Sequence, residues 1–201
     1  MSISPEEARI VAHVCGDGWL TFFLERNSLQ IVNGRRYRRD RIRYQIGYCN
    51  TENILLEQFR NDVNYVFGIK PMKVRCEIRF KSKRVFERIR ALGGGNTRGW
   101  FVGKDIKLSK KAIKIEWLKA FFDDEATVDI KTRRIRIKSM NGKGLIQVKS
   151  LLRDIGIKSV TTGPNSDKSY YLTIARVEVL KFRKFIGFYH PQKIQKLCII
   201  N

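Results

Sequence analysis

Two acidic residues stand at matching points of the two halves of the chain. Asp17 ends an apolar run that begins at Ile10, and Glu125 ends a second apolar run that begins at Leu118. The two acids are 108 residues apart in a chain of 201 residues. Paired carboxylates are ligands that Mg²⁺ prefers, and an ion held by them activates water and neutralises the charge that develops during phosphodiester hydrolysis. The sequence therefore predicts a metal site built between two similar halves.

The residues beside the two acids belong to the same expected site. Gly16 precedes Asp17, and Asp124 precedes Glu125, so the metal set comprises these four positions. Asp123 and Asp124 come before the matching position, which also allows them to lie in a helix interface or at a helix end. A single acid at a helix end is more often structural than catalytic. Two acids at equivalent points of a basic protein favour metal binding.

The composition limits the partners. The formal net charge is +22 and the pI is near 10.2, which favours an anionic polymer. The hydrophobic fraction of 43% and the charged fraction of 30% are typical of a soluble globular protein. No apolar run is long enough to span a membrane, and the N-terminus has no secretory signal pattern. Four scattered cysteines without a C-x-x-C pair make a zinc site improbable. An intracellular protein that does not bind membranes is expected.

Two helices must position the acids. The first is predicted from Pro5 to about Gly16, with Ser4 as its N-cap, and the second from about Lys111 to Asp124, capped by Ser109. In the first helix the small residues are spaced four apart, at Ala8, Ala12 and Gly16. Such a stripe lets a second helix approach closely, although taken alone it also describes an ordinary buried face.

A basic strand is expected to follow the first acid. Trp19 to Glu25 alternates, with Thr21, Phe23 and Glu25 on one face and Leu20, Phe22 and Leu24 on the other. After a turn at Asn33-Gly34, the segment 35–48 alternates in the same way. Its one face carries Arg39, Arg41, Arg43 and Gln45, and its other face carries Ile42, Tyr44 and Ile46. Arg reads guanine and Gln reads adenine in the major groove. The face of Arg39 to Gln45, and the face of Thr21 to Glu25 on the preceding strand, are therefore predicted to bind DNA.

Other segments supply the remaining basic candidates. Residues 69–80 are predicted to be extended and to place Lys73 and Arg75 on one face. In the second half, strands over 127–131 and 134–139 carry the further DNA-binding candidates Asp129, Lys131, Arg134, Arg136 and Lys138. Lys81 and Arg176 begin the third helices and are candidate basic catalytic residues, although a surface charge at a strand end is an equally good reading.

The order of elements repeats once. Further helices are predicted over 51–67 with Thr51 as cap, over 82–92, 144–155 and 176–186, and from Pro191 onward. The glycine run 93–95 is the best break in the chain. We therefore expect an α+β fold of two pseudo-symmetric halves, each a helix-flanked antiparallel sheet. The first half spans 1–95, a linker spans 96–108 and the second half spans 109–201.

The paired motifs resemble those of a known family. Ile10-Val-Ala-His-Val-Cys-Gly-Asp-Gly18 and Trp117-Leu-Lys-Ala-Phe-Phe-Asp-Asp-Glu125, each followed by basic alternating strands, resemble a monomeric LAGLIDADG homing endonuclease of the archaeal intron-encoded type. The segment from Ile186 to Lys193 resembles the closing segment of that family.

The resemblance implies a fold and an activity. The two motif helices would pack at a pseudo-two-fold axis and place Asp17 and Glu125 side by side at the floor of a DNA-binding saddle. A monomer would bind a long asymmetric double-stranded target. It would hydrolyse one phosphodiester on each strand and leave short 3′ overhangs. The bound ion would be Mg²⁺, with Mn²⁺ or Ca²⁺ as substitutes.

Some positions depart from the family, and other functions stay open. Ala126 stands where the family usually has Gly, which could shift the metal carboxylate. The family tends to place a basic or amide residue near the scissile phosphate, and neither segment 48–50 nor segment 139–141 gives a clear match. The same fold can serve as an RNA maturase or as a DNA-binding relative without cleavage, and a ribosome-associated basic protein is a further class. The expected location is the cytoplasm or nucleoid of an archaeon or bacterium, or an organelle.

Overall fold

The computed structural model describes residues 3–200, so the outermost positions of the two expected halves, 1, 2 and 201, lie outside it. Within the described residues, the first half contains three helices of more than one turn and four strands. In chain order these are α1 (Pro5–Cys15), β1 (Gly18–Val32), β2 (Arg35–Cys49), α2 (Asn53–Phe67), β3 (Met72–Val74), β4 (Glu77–Lys81) and α3 (Lys83–Ala91).

The second half repeats this order behind a short helix. It contains α4 (Lys104–Lys107), α5 (Lys111–Glu125), β5 (Ala126–Asp129), β6 (Arg134–Ser139), α6 (Gly142–Ile155), β7 (Val160–Thr162), β8 (Tyr170–Ile174), α7 (Arg176–Phe185) and α8 (Pro191–Ile199). Each half forms one four-stranded antiparallel sheet, in the order β1-β2-β4-β3 and β5-β6-β8-β7. The predicted α+β fold of two pseudo-symmetric halves is confirmed.

Each sheet has one face on the helices and one open face. In the first sheet, Tyr48 of β2 pairs with Ile78 of β4 on the covered face, Ile46 lies on the same face of β2, and all three are buried. In the second sheet, Ile137 and Leu172 take the same positions. Because side chains alternate along a strand, the residues between these positions project from the other face. The polar faces of β2 and β6 therefore lie on the open sides of their sheets.

Helices α1 and α5 join the two halves. The N-terminus of α1 is capped as predicted, with the Ser4 hydroxyl accepting from the backbone of Glu7 at 3.2 Å. Arg9 of α1 donates across the interface to Glu116 of α5 through Nη1 (2.7 Å), and within its own half to Asp62 of α2 through Nε (2.8 Å) and Nη2 (2.7 Å). A guanidinium shared in this way fixes the two motif helices against each other.

The two hairpins next to the acids differ greatly in length. Strands β1 and β2 have 15 residues each, whereas β5 and β6 have 4 and 6. The prediction ended β1 at Glu25, which was wrong, because a β-bulge between Glu25 and Ser28 interrupts the alternation and the strand then continues to Val32. Pairing with β2 resumes after the bulge, with one extra residue in β1. Leu24 and Leu29 therefore lie on the same face of the hairpin, although residues an odd number of positions apart in a regular strand lie on opposite faces.

Several predicted boundaries also need correction. The segment 69–80 is a hairpin, since the chain turns at Arg75-Cys76 between β3 and β4. Arg75 lies in that turn with φ of 54°, so it does not continue a strand face. Helix α2 begins after Glu52 and helix α5 after Lys110, so neither Thr51 nor Ser109 is an N-cap. Strand β5 ends at Asp129, which leaves Lys131 in the following turn.

The segment predicted as a linker is packed against the body of the protein. Trp100, Val102 and Ile106 are buried, and the Trp100 carbonyl accepts from the Asn141 side chain at 2.6 Å. The segment therefore contributes to the core, and the division of the chain at 96–108 stays a prediction. Across residues 3–200, no helix combines the length and the apolar character that crossing a bilayer requires.

Candidate active site

The two predicted acids meet where the motif helices end. Gly16 is the C-cap of α1, and a Cβ placed on it would lie 2.7 Å from the Cβ of Asp124 in α5. Only glycine allows the helices to approach this closely, which gives the small-residue stripe its structural reason. Asp17 follows immediately, and Glu125 is the last residue of α5. Each acid lies close enough to the Asp124 charge to be affected by it, and Glu125 is affected by Asp17 too.

Asp124 lies inside this interface. Its side chain is 0% exposed and so is that of His13, whose Nδ1 is 2.9 Å from Asp124 Oδ2. The other carboxylate oxygen, Oδ1, accepts from the Tyr48 hydroxyl at 2.7 Å. With both oxygens engaged by buried groups, Asp124 is an interface residue, and this placement does not support the metal-ligand role that the sequence suggested.

Asn50 connects the buried carboxylate to the open one. Its Nδ2 atom lies 3.2 Å from Asp17 Oδ2, 3.2 Å from the Tyr48 hydroxyl and 3.5 Å from Asp124 Oδ1. The Asn50 Oδ1 atom accepts from the backbone of Glu52 at 2.9 Å, which fixes the orientation of the amide. Asp17 is therefore held by a donor at the end of β2.

Burial and neighbouring carboxylates disfavour the charged forms of both acids. Asp17 keeps an exposed surface, but burial of the rest of the side chain and the charge of Asp124 raise its pKa to about 6. Burial, Asp17 and Asp124 raise the pKa of Glu125 to about 7. Burial lowers the pKa of His13, but Asp124 raises it further and the net shift is upward. Two carboxyls with raised pKa values in one place are typical of a functional site.

Lys193 supplies a basic group whose charge acts on both acids. Its ammonium donates to the carbonyl oxygens of Phe122 and Asp124, each at 3.3 Å, and to that of Asp123. It thereby satisfies the end of α5, where the helix dipole favours a cation. Burial lowers the pKa of Lys193, although the neighbouring carboxylates act in the opposite direction. The segment before α8 is fixed by Asp123, which accepts from the backbones of Tyr189 and His190, both at 2.9 Å.

A cavity of about 260 Å³ opens beside Glu125. Gly16 and Glu125 form one wall, Lys138 and Ser139 at the end of β6 form another, and Thr97, Trp100, Met140, Ser169 and Cys15 complete the lining. The cavity gives Glu125 access to solvent on the side of the second sheet. A small ligand or a phosphate group has room there.

The donor set fits a divalent metal ion. Asp17 and Glu125 offer carboxylate oxygens, and their raised pKa values reflect burial and repulsion by neighbouring carboxylates, which a cation would relieve. Mg²⁺ is commonly bound through one or two carboxylates, with water and substrate phosphates as the other ligands. Within residues 3–200, no group of three or more His, Cys, Asp or Glu side chains is arranged around a metal position.

The two predicted basic catalytic residues lie elsewhere. Lys81 is the last residue of β4, where it pairs with Gln45. Its charge helps to lower the pKa of Glu25. Arg176 is exposed and begins α7. It follows the last residue of β8, Ile174, by two positions, and Ile174 pairs with Ile135. Both are at the far ends of strands whose other ends approach the acids. The physical reason is strand direction, since each of these strands runs away from the site.

Most of the predicted DNA-binding residues lie on the open faces of the two sheets. In the first sheet, β1 contributes Thr21, Phe23 and Glu25, and β2 contributes Arg39, Arg41, Arg43 and Gln45, all paired across the hairpin or next to such pairs. In the second sheet, Arg134 pairs with Asp129, and Arg136 and Lys138 continue the same face. Lys73 pairs with buried Ile78 on the covered side, and its ammonium contacts Glu57 of α2 at 2.7 Å. Its charge is therefore used within the protein, away from the open face.

Sequence reasoning missed the residues that support the acids. Tyr48 and Asn50 stand where a basic residue was sought, and His13 was not assigned a role. Lys193 closes the family-like segment, but nothing in its neighbourhood along the chain connects it to α5. Only the repeated acid positions carried a local signal.

The comparisons support the fold. Residues 112–187 match the family described as LAGLIDADG-like domain. Variants of the homing endonuclease I-DmoI align over 92% of this chain and 92% of theirs, at 19% identity and a TM-score of 0.67. I-DmoI in complex with DNA and Ca aligns over 98% of both chains, at 18% identity and a TM-score of 0.65. The N-terminal LAGLIDADG domain of DUF199/WhiA covers 92% of this chain and 83% of its own, at 13% identity and a TM-score of 0.55. No curated protein sequence matches the chain.

Proposed function

We propose that this protein is a site-specific double-stranded DNA endonuclease that depends on a divalent metal. It hydrolyses one phosphodiester on each strand of a long asymmetric target and leaves short 3′ overhangs. The observation that supports this most is the placement of Asp17 and Glu125 at the junction of two basic open sheets. Each acid belongs to one half, so each serves one strand of a duplex that lies across both sheets.

The residues of the site have distinct tasks in this proposal. Asp17 and Glu125 would hold Mg²⁺, which would supply an activated water and neutralise charge at the phosphate. Asn50 orients Asp17 through its amide, and Lys193 fixes the end of α5 that carries Glu125. The buried pair of His13 and Asp124 keeps the two motif helices in register. Orientation by such fixed groups lowers the reorganisation that the reaction requires.

The charge distribution supports a duplex as substrate. The net charge of +22 favours DNA over neutral ligands, and arginines on the open faces contact phosphates or base edges. We infer a monomeric homing endonuclease with halves 1–95 and 109–201, because one chain carries both motifs. We assign it to the archaeal intron-encoded type because the first motif ends in Gly16-Asp17-Gly18. The structures of I-DmoI with DNA and Mn or Ca, and of a variant of it with DNA and Mg, support Mg²⁺, Mn²⁺ or Ca²⁺ as the bound ion. A DNA substrate places the protein inside the cell.

The test is cleavage of a duplex library randomised over a long site, with Mg²⁺ and with EDTA, followed by sequencing of the ends. Metal-dependent cuts at one asymmetric sequence with staggered ends are expected. A library that stays intact in Mg²⁺ and Mn²⁺ across temperature and salt would contradict the proposal. Binding of structured RNA without any duplex cleavage would then favour a maturase.

A further inference from the structure

Three successive arginines on the open face of the long hairpin are held in the same way. Arg41 and Arg43 donate from Nε to Glu25 Oε2, at 3.1 and 2.5 Å. Arg39 donates from Nε to Gln30 Oε1 at 3.0 Å. In each case the acceptor belongs to β1 and the arginine to β2. We call Arg39, Arg41 and Arg43 the arginine row.

The acceptor at the centre of the row is itself fixed. Glu25 Oε2 also accepts from the Ser28 hydroxyl at 2.7 Å, across the β-bulge between these two residues. The bulge is stabilised from the other strand, where Asp40 Oδ1 accepts from the backbone of Asn27 at 2.8 Å. The side chains of Glu25, Arg41 and Arg43 are 34%, 33% and 24% exposed, so each is partly packed although the hairpin is open. The bonds to Ser28 and Arg43 lower the pKa of Glu25, which keeps it an anion at neutral pH.

This arrangement leaves one edge of each guanidinium available. A guanidinium has donors on Nε, Nη1 and Nη2, and in the row only Nε is used. Within the part of the chain that the structure describes, no hydrogen bond from Nη1 or Nη2 of these arginines is formed. The two Nη groups together match the O6 and N7 acceptors of guanine in the major groove.

The spacing of the row matches a duplex. Residues two apart in an antiparallel strand are about 6.8 Å apart along the strand. Stacked base pairs rise by about 3.4 Å, so this distance corresponds to about two base-pair steps. Successive members of the row therefore meet alternate base pairs when β2 follows the groove.

The second half does not offer an equivalent row. Arg136 approaches Asp129 through Nη2 at 3.8 Å and lies over the ring of Tyr171 at 5.2 Å. Its Nη edge is therefore next to an acid of its own sheet. The third position on this face of β6 carries Lys138 in place of an arginine, and its ammonium contacts Asp167 at 2.7 Å.

We propose that Glu25 and Gln30 are specificity-determining positioning residues, which hold the arginine row so that it reads guanines at three alternate base pairs of the half-site bound by the first half. The inference rests on the proposed function for its DNA substrate, but it concerns recognition and not cleavage. Glu25 serves two of the three positions and Gln30 the third.

The test is selection by binding. The full chain is incubated in EDTA with duplexes randomised over a long site, and the bound fraction is sequenced. We expect guanine, on either strand, at three positions about two base pairs apart on one side of the site. Each preference should be about 5-fold to 150-fold over the other bases, which is the usual range for a bidentate arginine.

Variants separate the members of the row. Glu25→Ala should remove the preference at the two positions read by Arg41 and Arg43 and retain the third. Gln30→Ala should remove only the position read by Arg39. Glu25→Gln, which keeps an acceptor oxygen, should retain part of the preference. Glu87→Ala is the matched control, because Glu87 is 60% exposed on α3 and its loss changes the net charge equally.

The outcomes are distinguishable from those of the proposed function. A selected site without guanines at alternate positions, or an unchanged base profile in Glu25→Ala, would overturn the inference while leaving the endonuclease proposal intact. Failure to select any duplex sequence would contradict both. Circular dichroism and thermal unfolding are used to check that each variant is folded. A changed base profile in a folded variant is then a change of recognition.

Discussion

Replacing Glu125 by Gln is expected to stabilise the protein above neutral pH while abolishing its cleavage activity. Burial, Asp17 and Asp124 raise the pKa of Glu125 from its ordinary value of 4.5 to about 7. The folded protein therefore binds this proton more tightly than the unfolded chain does. Stability is lost as pH rises from about 4.5 through about 7, and above that range the folded state carries the full cost of the ionised carboxylate.

The size of the effect follows from the shift. One pKa unit corresponds to about 1.4 kcal/mol, so a shift of this size has an upper limit of about 3 kcal/mol. Glu125 is partly open to solvent and shares its repulsion with Asp17, which also titrates in this range, so we expect about 1–2 kcal/mol. At pH 5 the wild-type carboxyl is protonated, and Gln is then nearly isosteric with it. The variant should therefore differ from the wild type by less than about 0.5 kcal/mol at that pH.

Urea unfolding at pH 5 and pH 8.5 measures this difference. Comparing the variant with the wild type at each pH removes the contributions of the other buried acids. Glu87→Gln is the matched control, since Glu87 is 60% exposed and should show no pH-dependent difference. If Glu125→Gln destabilises the protein at pH 8.5, the carboxylate is stabilised by its surroundings, and the reasoning about unneutralised charge is refuted.

Three further predictions concern the groups that support the acids. Tyr48→Phe leaves the buried Asp124 with one fewer donor and should lower the free energy of unfolding by about 1–3 kcal/mol in urea; an unchanged value would mean that the bond has no role. Lys193→Met removes the cation from the end of α5 and should cost about 1–2 kcal/mol in thermal unfolding, whereas an equally stable variant would argue against a capping role. Asn50→Ala should slow single-turnover cleavage by about 10-fold or more with duplex affinity unchanged, because Asp17 loses its donor; reduced affinity with an unchanged rate would speak against orientation.

The pattern of the sequence predicted the frame of the site well. The repeated acids, the capping at Ser4 and the alternating face of β2 all depend on neighbours within a few residues, and periodicity reports such local relations directly. The bulge after Glu25 marks where this reasoning ended. A single extra residue reverses the alternation, so Leu29, which pairs with Arg38, lies on the same face as Leu24, and periodicity in the sequence does not give this.

Tertiary contacts account for the remaining differences. Asp124 is buried because Gly16 of the other half lets the two helices approach, and no local pattern encodes that distance. Lys193 reaches carbonyls that are about 70 residues earlier in the chain. Lys81 was predicted to begin a helix and to be a basic catalytic residue. It is the last residue of β4, and the direction of that strand carries it away from the acids. The shape of the site depends on how the halves are packed, and the sequence shows that packing only indirectly.

The most direct test of the account measures binding and cleavage separately for the two acids. A duplex recovered from the library and labelled on each strand is cut under single-turnover conditions by the wild type, Asp17→Asn and Glu125→Gln, and its affinity is measured in Ca²⁺. The account predicts that either substitution slows cleavage in Mg²⁺ by at least about 1000-fold while the affinity changes by less than about 3-fold. Cleavage of both strands at the wild-type rate by either variant would contradict the assignment of these carboxylates as the catalytic centre.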